Sequence, residues 1–271
     1  MGAAEFKAFE RDGYSNVASG YASIATRVSS QAHAALFEVA RIRSGSSLLD
    51  VACGPGALTS DALKQGAHVT AIDFAPGMVA LAREANRPVQ VMEADAEQLP
   101  FESGSFDAVL CNLGILHFPA PDRAAAEAQR VLNAGGVYAF TCWMPPVSNA
   151  FMALILGSIQ KHGSLDVGLP DGPPLFRFGE ASACTELLAR AGFEDIETSE
   201  ISIYWPATNP EAFVRDIPAS TARLGALLER QTAAQRAAIE AAILSGARQF
   251  MTENGVKVPS KLMLASGRKT A

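Results

Sequence analysis

The segment Leu48-Leu49-Asp50-Val51-Ala52-Cys53-Gly54-Pro55-Gly56 restricts the fold of this chain more than any other. A short apolar run carrying one acid leads directly into a Gly-x-Gly turn. A second apolar run, Ala67-His68-Val69-Thr70-Ala71-Ile72, ends on another acid, Asp73. Glycines allow backbone angles and close approaches that a Cβ would forbid. In an open α/β sheet, ligands gather outside the carboxyl ends of the strands, where such a turn sits. An acid closing the second strand stands where a nucleoside ribose presents its two hydroxyls. The two segments together predict a site for an adenosine-containing cofactor.

Missing residues narrow the choice of cofactor. A dinucleotide fingerprint requires a third glycine for close helix–strand packing. Here the run is Gly54-Pro55-Gly56-Ala57-Leu58-Thr59, with Thr59 in the third position. No Gly-Lys-Ser/Thr follows, so there is no P-loop. Without a pyrophosphate cradle, the turn suits a ligand carrying a sulfonium and a free amino acid. Residues 46 to 143 resemble the core of class I S-adenosylmethionine-dependent methyltransferases. Within these, they resemble the small-molecule group that includes the ubiquinone- and menaquinone-biosynthesis C-methyltransferases.

The resemblance implies an α/β fold: a doubly wound, Rossmann-like, seven-stranded and mostly parallel sheet with helices on both faces and an antiparallel last strand. It also implies S-adenosyl-L-methionine as cofactor and assigns residues to it. Asp50, Ala52, Gly54 and Gly56 form the first cofactor motif, and Asp73 takes the ribose, with Phe74 beside it. Met78 lies near the adenine or serves as core filler. Asp95, followed by Ala96, accepts from the adenine amino group or is a plain turn acid. Asn112 closes the fourth strand, and Tyr21 covers the cofactor from the N-terminal segment. Tyr14 and Trp143 face the methyl acceptor. For the tyrosines, simple helix packing is an equal alternative.

The strand–helix alternation is independent of the resemblance and itself requires a largely parallel sheet covered on both faces. Strands are expected at 47–52, 69–73, 89–93, 106–112 and 137–143, with helices at 57–65, from Pro76 to near 86, and at 121–132. Residues 1–42 form an N-terminal helical cap, with Gly13 and Gly20 as breaks. Residues 144–271 form an acceptor-side segment: an apolar helix at 150–159, a helix at 180–191, a strand at 196–205, a helical insert at 208–254 and a closing strand at 258–266 broken by Pro259. The chain reads as a single domain.

Of the four histidines, His117 alone lies just past the carboxyl end of a core strand. It is the candidate general base, able to take a proton from a phenol or an acidic carbon; the plain alternative is a loop-holding histidine. The Asn/Asp-Pro-Pro-aromatic motif usual for nucleobase and amide-nitrogen acceptors is absent, since Asn112-Leu113-Gly114 stands there. A formal charge of −6 and a pI near 5.3 also argue against a nucleic-acid partner. The expected partner is therefore a small organic acceptor, aromatic or hydrophobic, methylated at oxygen or carbon.

Cys53, Cys111, Cys142 and Cys184 form no C-x-x-C pair and read as buried thiols. No metal set can be assembled from the carboxylates. No apolar run approaches bilayer length and the first residues carry no signal core, so a cytoplasmic protein without membrane contact is expected. Two other classes of protein share these segments: a non-catalytic S-adenosylmethionine-binding relative and a nucleotide-dependent oxidoreductase. Oligomeric state leaves no mark in the sequence.

Overall fold

The computed structural model describes residues 2–270, apart from the side chain of Ala25. After helices α1 (Ala3–Ser29) and α2 (His33–Val39), strands β1 (Ser47–Val51), β2 (His68–Asp73), β3 (Gln90–Glu93), β4 (Phe106–Asn112) and β5 (Leu132–Trp143) follow in chain order. Between them lie helices α3 (Ala57–Lys64), α4 (Pro76–Ala85) and α5 (Pro121–Val131). Beyond β5 come α6 (Ala150–His162), α7 (Ala181–Arg190) and β6 (Glu194–Ala207). Helices α8 (Pro210–Asp216), α9 (Ala222–Glu229) and α10 (Ala233–Ala247), the two-residue β7 (Met251–Thr252) and β8 (Gly255–Arg268) complete the chain.

The sheet order is β3-β2-β1-β4-β5-β8-β6, with β7 paired only to β8. Strands β1 to β5 are parallel neighbours, and β8 runs antiparallel between β5 and β6. The chain winds outward from β1 to β3, then returns to β4 on the other side of β1. That reversal opens a crevice at the carboxyl ends of β1 and β4, the usual place for a ligand in such a sheet. Both faces are covered because successive strand residues are apolar. Leu48, Ala108 and Leu110 pack with α2 and α3 residues Leu36, Phe37, Leu58 and Ala62 on one face. Leu49, Val109, Cys111, Tyr138 and Phe140 pack with α5 and α7 on the other.

Two expected interruptions do not occur. Helix α1 runs unbroken through Gly13 and Gly20. A Cβ on Gly13 would lie 2.8 Å from that of Ala222, and one on Gly20 2.8 Å from that of Ala219. These glycines let the helical insert approach α1 rather than break it. Strand β8 likewise continues through Pro259, which pairs with Tyr204 of β6. Pairing of β5 with β8 ends at Leu262, so the missing N–H at Pro259 is not needed by β5.

In a free helix Gly13→Ala would stabilise by about 1 kcal/mol. Here the contact with Ala222 is expected to cancel that gain, and Gly13→Val to cost about 1–3 kcal/mol through overpacking. Urea denaturation of Gly13→Val, Ala222→Gly and the double variant checks this. Recovery of stability in the double variant is the expected result, and additive losses would dismiss the contact.

Candidate active site

Cofactor-side residues are set by unusual backbone at two strand ends. Ala52 after β1 and Leu113 after β4 have φ of 55° and 59°, a left-handed conformation that is strained for side chains with a Cβ. A Cβ on Gly114 would lie 2.6 Å from both the Ala52 Cβ and the Cys111 sulfur, so the two loops touch. Gly54, with φ of 56°, has only the Tyr21 ring, at 3.8 Å, near the position of a Cβ, and its surface is open to the cleft.

Asp73 ties these loops together. One carboxylate oxygen accepts from the Gly54 N–H and the other from the Ala75 N–H, each at 2.8 Å. Burial raises its pKa, opposed by those backbone donors. Asp50 is buried in β1 and accepts from the Thr59 hydroxyl at 2.6 Å. Burial, followed by the neighbouring Asp73 charge, pushes its pKa up to about 7. Thr59 thus replaces the third glycine with a hydrogen bond to the first acid.

A cleft of about 100 Å³ brings together Ala52, Gly54, Asp73, Phe74, Met78, Asp95, Ala96, Asn112, Tyr14, Tyr21 and His117. Asp50 lines an adjoining recess of about 30 Å³ that shares Tyr21, Ala52, Gly54 and Asn112 with it. Gly56 lies outside both. It caps α3 at φ 87°, and a Cβ there would collide with Asn86 and Ala82 of the α4 segment, so that packing requires a glycine. Met78 is almost fully buried and forms wall rather than surface. Asp95 is already engaged, accepting from Lys7 Nζ at 2.6 Å and from the Glu97 N–H at 2.9 Å. Asn112 is held by donation to the Ser29 carbonyl at 3.0 Å and by the Thr141 hydroxyl at 2.6 Å.

The cleft is roofed by α1. Lys7 pairs with Asp95 and Glu97, Arg11 with Glu93 at 2.6 Å, and the Gly77 N–H donates to Ser15 at 3.3 Å. The same helix delivers Glu10, which the sequence analysis missed. Its Oε2 lies 2.7 Å from His117 Nδ1, without the in-line geometry of a hydrogen bond, and has no other partner among the described residues. Tyr14 Oη lies 3.2 Å from His117 Nε2, with the two rings edge to face at 5.1 Å. The available signal was spacing: Lys7, Tyr14 and Tyr21 recur every seven residues with Glu10 between them, one face of a helix.

A second cavity, of about 320 Å³, meets the cleft at Glu10, Tyr14, Tyr21, Leu113 and His117, which line both. Trp143 lies here with Phe6, Phe151, Met152, Ile155 and Trp205, and Phe151 stacks on Trp205 at 4.1 Å. Its remaining polar residues, Ser220, Thr221 and Arg223, come from the helical insert. Among the described residues no group of three His, Cys, Asp or Glu side chains could hold a metal, and no helix is long and apolar enough to cross a membrane.

The fold is therefore an open α/β sheet with a cleft at its switch point that meets an apolar chamber. A family described as a methyltransferase domain matches residues 49–140. An uncharacterised protein of Mycobacterium tuberculosis is 32% identical over 228 residues, covering 76% of this chain and 81% of that protein. A demethylmenaquinone methyltransferase of Chlorobaculum parvum is 33% identical over 177 residues, 59% of this chain and 73% of that enzyme. The crystal structure of a putative methyltransferase from Bacillus halodurans superimposes with a TM-score of 0.57 at 21% identity, over 88% of this chain and 99% of that one. The chain belongs to the S-adenosylmethionine-dependent methyltransferases. That membership replaces the oxidoreductase alternative.

The cleft suits S-adenosylmethionine on its own chemistry. Asp50 and Asp73 are buried acids with no ion-pair partner among the described residues, and the cofactor carries an ammonium and a sulfonium. The open face of Gly54 leaves room beside them.

Asp73→Asn is expected to weaken S-adenosylhomocysteine binding by about 100-fold or more, since two charged hydrogen bonds at about 1.5–3 kcal/mol each are affected. Calorimetric titration measures this. An unchanged dissociation constant in a folded variant would dismiss the expected contact of Asp73 with the ribose. Asp73→Ala is the poorer test, because it leaves the Gly54 and Ala75 donors unmet.

Asp50 has a folded-state pKa near 7, raised from 3.8, so the native state holds its proton more tightly than the unfolded chain. Its contribution to stability is greatest below pH 4 and is lost as pH rises through about 7. Asp50→Asn, which keeps an acceptor for Thr59, is expected to become progressively more stable than the parent across that window, by on the order of 2–4 kcal/mol at its upper end. Urea denaturation at a series of pH values without cofactor tests this, and a difference independent of pH would contradict it.

Proposed function

We propose that this protein methylates a small, flat and mostly apolar acceptor, an aromatic or quinol-like ring, at oxygen or carbon. The supporting observation is the apolar chamber that joins the cofactor cleft through the Glu10–Tyr14–His117 wall. Similarity to an enzyme named for demethylmenaquinone favours a quinol-like ring within that class.

When bound, S-adenosylmethionine supplies an electrophilic methyl group on its sulfonium. The chain's contribution begins with orientation. Leu113 and the Tyr14 and Tyr21 rings hold the acceptor at the junction, and well-oriented partners gain about 7–11 kcal/mol over free encounter. His117 then takes the proton released as the acceptor's O–H or C–H bond breaks. Glu10 beside Nδ1 favours the tautomer with its proton on that nitrogen, leaving the Nε2 lone pair as the base. Tyr14 hydrogen-bonds Nε2 in the absence of an acceptor, and an acceptor hydroxyl would take its place. Trp143, Phe151 and Trp205 exclude water from the chamber.

Methyl incorporation from labelled S-adenosylmethionine into a panel of naphthoquinols, catechols and aliphatic amines tests the acceptor class. Transfer to amines alone would overturn it. With an accepted substrate, His117→Ala is expected to lower kcat by roughly 100-fold or more, to lose the rising acid limb of the pH–rate profile and to be rescued by imidazole. Glu10→Gln should lower kcat with little change in acceptor KM, as expected of a positioning residue. A His117→Ala enzyme whose kcat and pH profile match the parent would leave His117 a loop-holding role.

A further inference from the structure

We infer that the chamber recognises a carboxylate on its acceptor through Arg223. This rests on the chamber being the acceptor site. The polar residues that line the chamber come from separate parts of the chain. The junction with the cofactor cleft holds Glu10, Tyr14, Tyr21 and His117, while Ser220, Thr221 and Arg223 line the chamber but not the cleft. Near the junction an acid and a base await a proton donor. On the helical insert the unused donor hydrogens belong to Thr221 and Arg223. Ser220 uses its hydroxyl hydrogen on the Ile217 carbonyl at 2.6 Å. Thr221 accepts from the Leu224 N–H at 3.1 Å, which leaves its O–H to donate.

Arg223 donates from Nη1 to the Pro170 carbonyl at 2.9 Å and has no acid within ion-pair distance among the described residues. A guanidinium has five N–H donors in a fixed fork, so most remain for a ligand. A half-buried cation without a counter-ion, in a chamber lined mostly by apolar side chains, pays a desolvation cost that an anionic ligand would relieve. The fork matches a carboxylate two atoms wide. An ammonium or an unfunctionalised hydrocarbon would leave Arg223 without a counter-ion. The acceptor class that follows is an aromatic or hydrophobic acid, with its carboxylate on Arg223 and its methylated atom at His117.

Loop tethering is the competing role for Arg223, and Arg230 provides the control. It binds the same loop, donating to the Val167 and Gly168 carbonyls, but lies outside the chamber. Trp143 and Trp205, the protein's two tryptophans, both line the chamber, so their fluorescence reports its occupancy. The full chain loaded with S-adenosylhomocysteine would be titrated with 3-phenylpropionate, 3-phenylpropionamide and 3-phenylpropyl phosphate. The carboxylate is expected to bind at least tenfold more tightly than the amide. Arg223→Gln should abolish that preference and Arg230→Gln should keep it. The inference fails if the amide binds as well as the acid or neither probe binds. It also fails if Arg223→Gln keeps the preference, if Arg230→Gln loses it, or if the phosphate ester binds more tightly than the acid. Calorimetry with S-adenosylhomocysteine on the same samples separates the two levels. Intact cofactor binding with no carboxylate preference rejects this inference alone, whereas failure of the parent to bind cofactor rejects the functional reading beneath it.

Discussion

The Asp73 carboxylate holds the site together. By accepting from Gly54 and Ala75 it fastens the glycine turn after β1 to the end of β2, and with it the shape of the cleft between them. The buried Ala75 donor and the half-buried Gly54 donor would otherwise be unmet, so the turn has one preferred place. The strained backbone at Ala52 and Leu113 is tolerated because the loops carrying them are packed against each other and against Gly114. Strain of this kind persists only where its surroundings leave no alternative.

Helix α1 depends on that frame and also completes it. Lys7 and Arg11 dock on acids at and beyond the carboxyl end of β3, which sets the helix across the cleft and aims Glu10 and Tyr14 at His117. Exposed pairs such as Arg11–Glu93 contribute little by themselves. The close approach of Gly13 and Gly20 to the helical insert supplies the packing that holds the other side. One helix thus roofs the cleft and forms part of the chamber wall. A change in its position alters both sites together.

Much of this was legible from the residues. The order of strands and helices followed from short apolar runs and their punctuation, and β4 spans the residues expected, 106–112. Errors arose where a residue with a strong local preference serves a distant contact. Gly13 and Gly20 read as helix breaks, but Ala222 and Ala219 stand where their side chains would be. Pro259 read as a strand break, but its position on β8 has no need of an N–H toward β5. Gly56, placed by its motif, also gives the α4 segment room to approach, which its neighbours in sequence do not reveal.

By itself the sequence determined what is local and periodic. It set the alternation of elements, the acids at the ends of β1 and β2, and the absence of a third glycine, because each depends on neighbours a few residues away. It could not determine what Glu10, Thr59 or Arg223 would meet. Glu10 reaches His117 only because α1 crosses the sheet, and Arg223 enters the chamber only because the helical insert folds back over α6 and the following loop. Such contacts join residues far apart in the chain whose own surroundings give no sign of the partner. Only the packing of whole elements, driven by burial of their apolar faces, decided them.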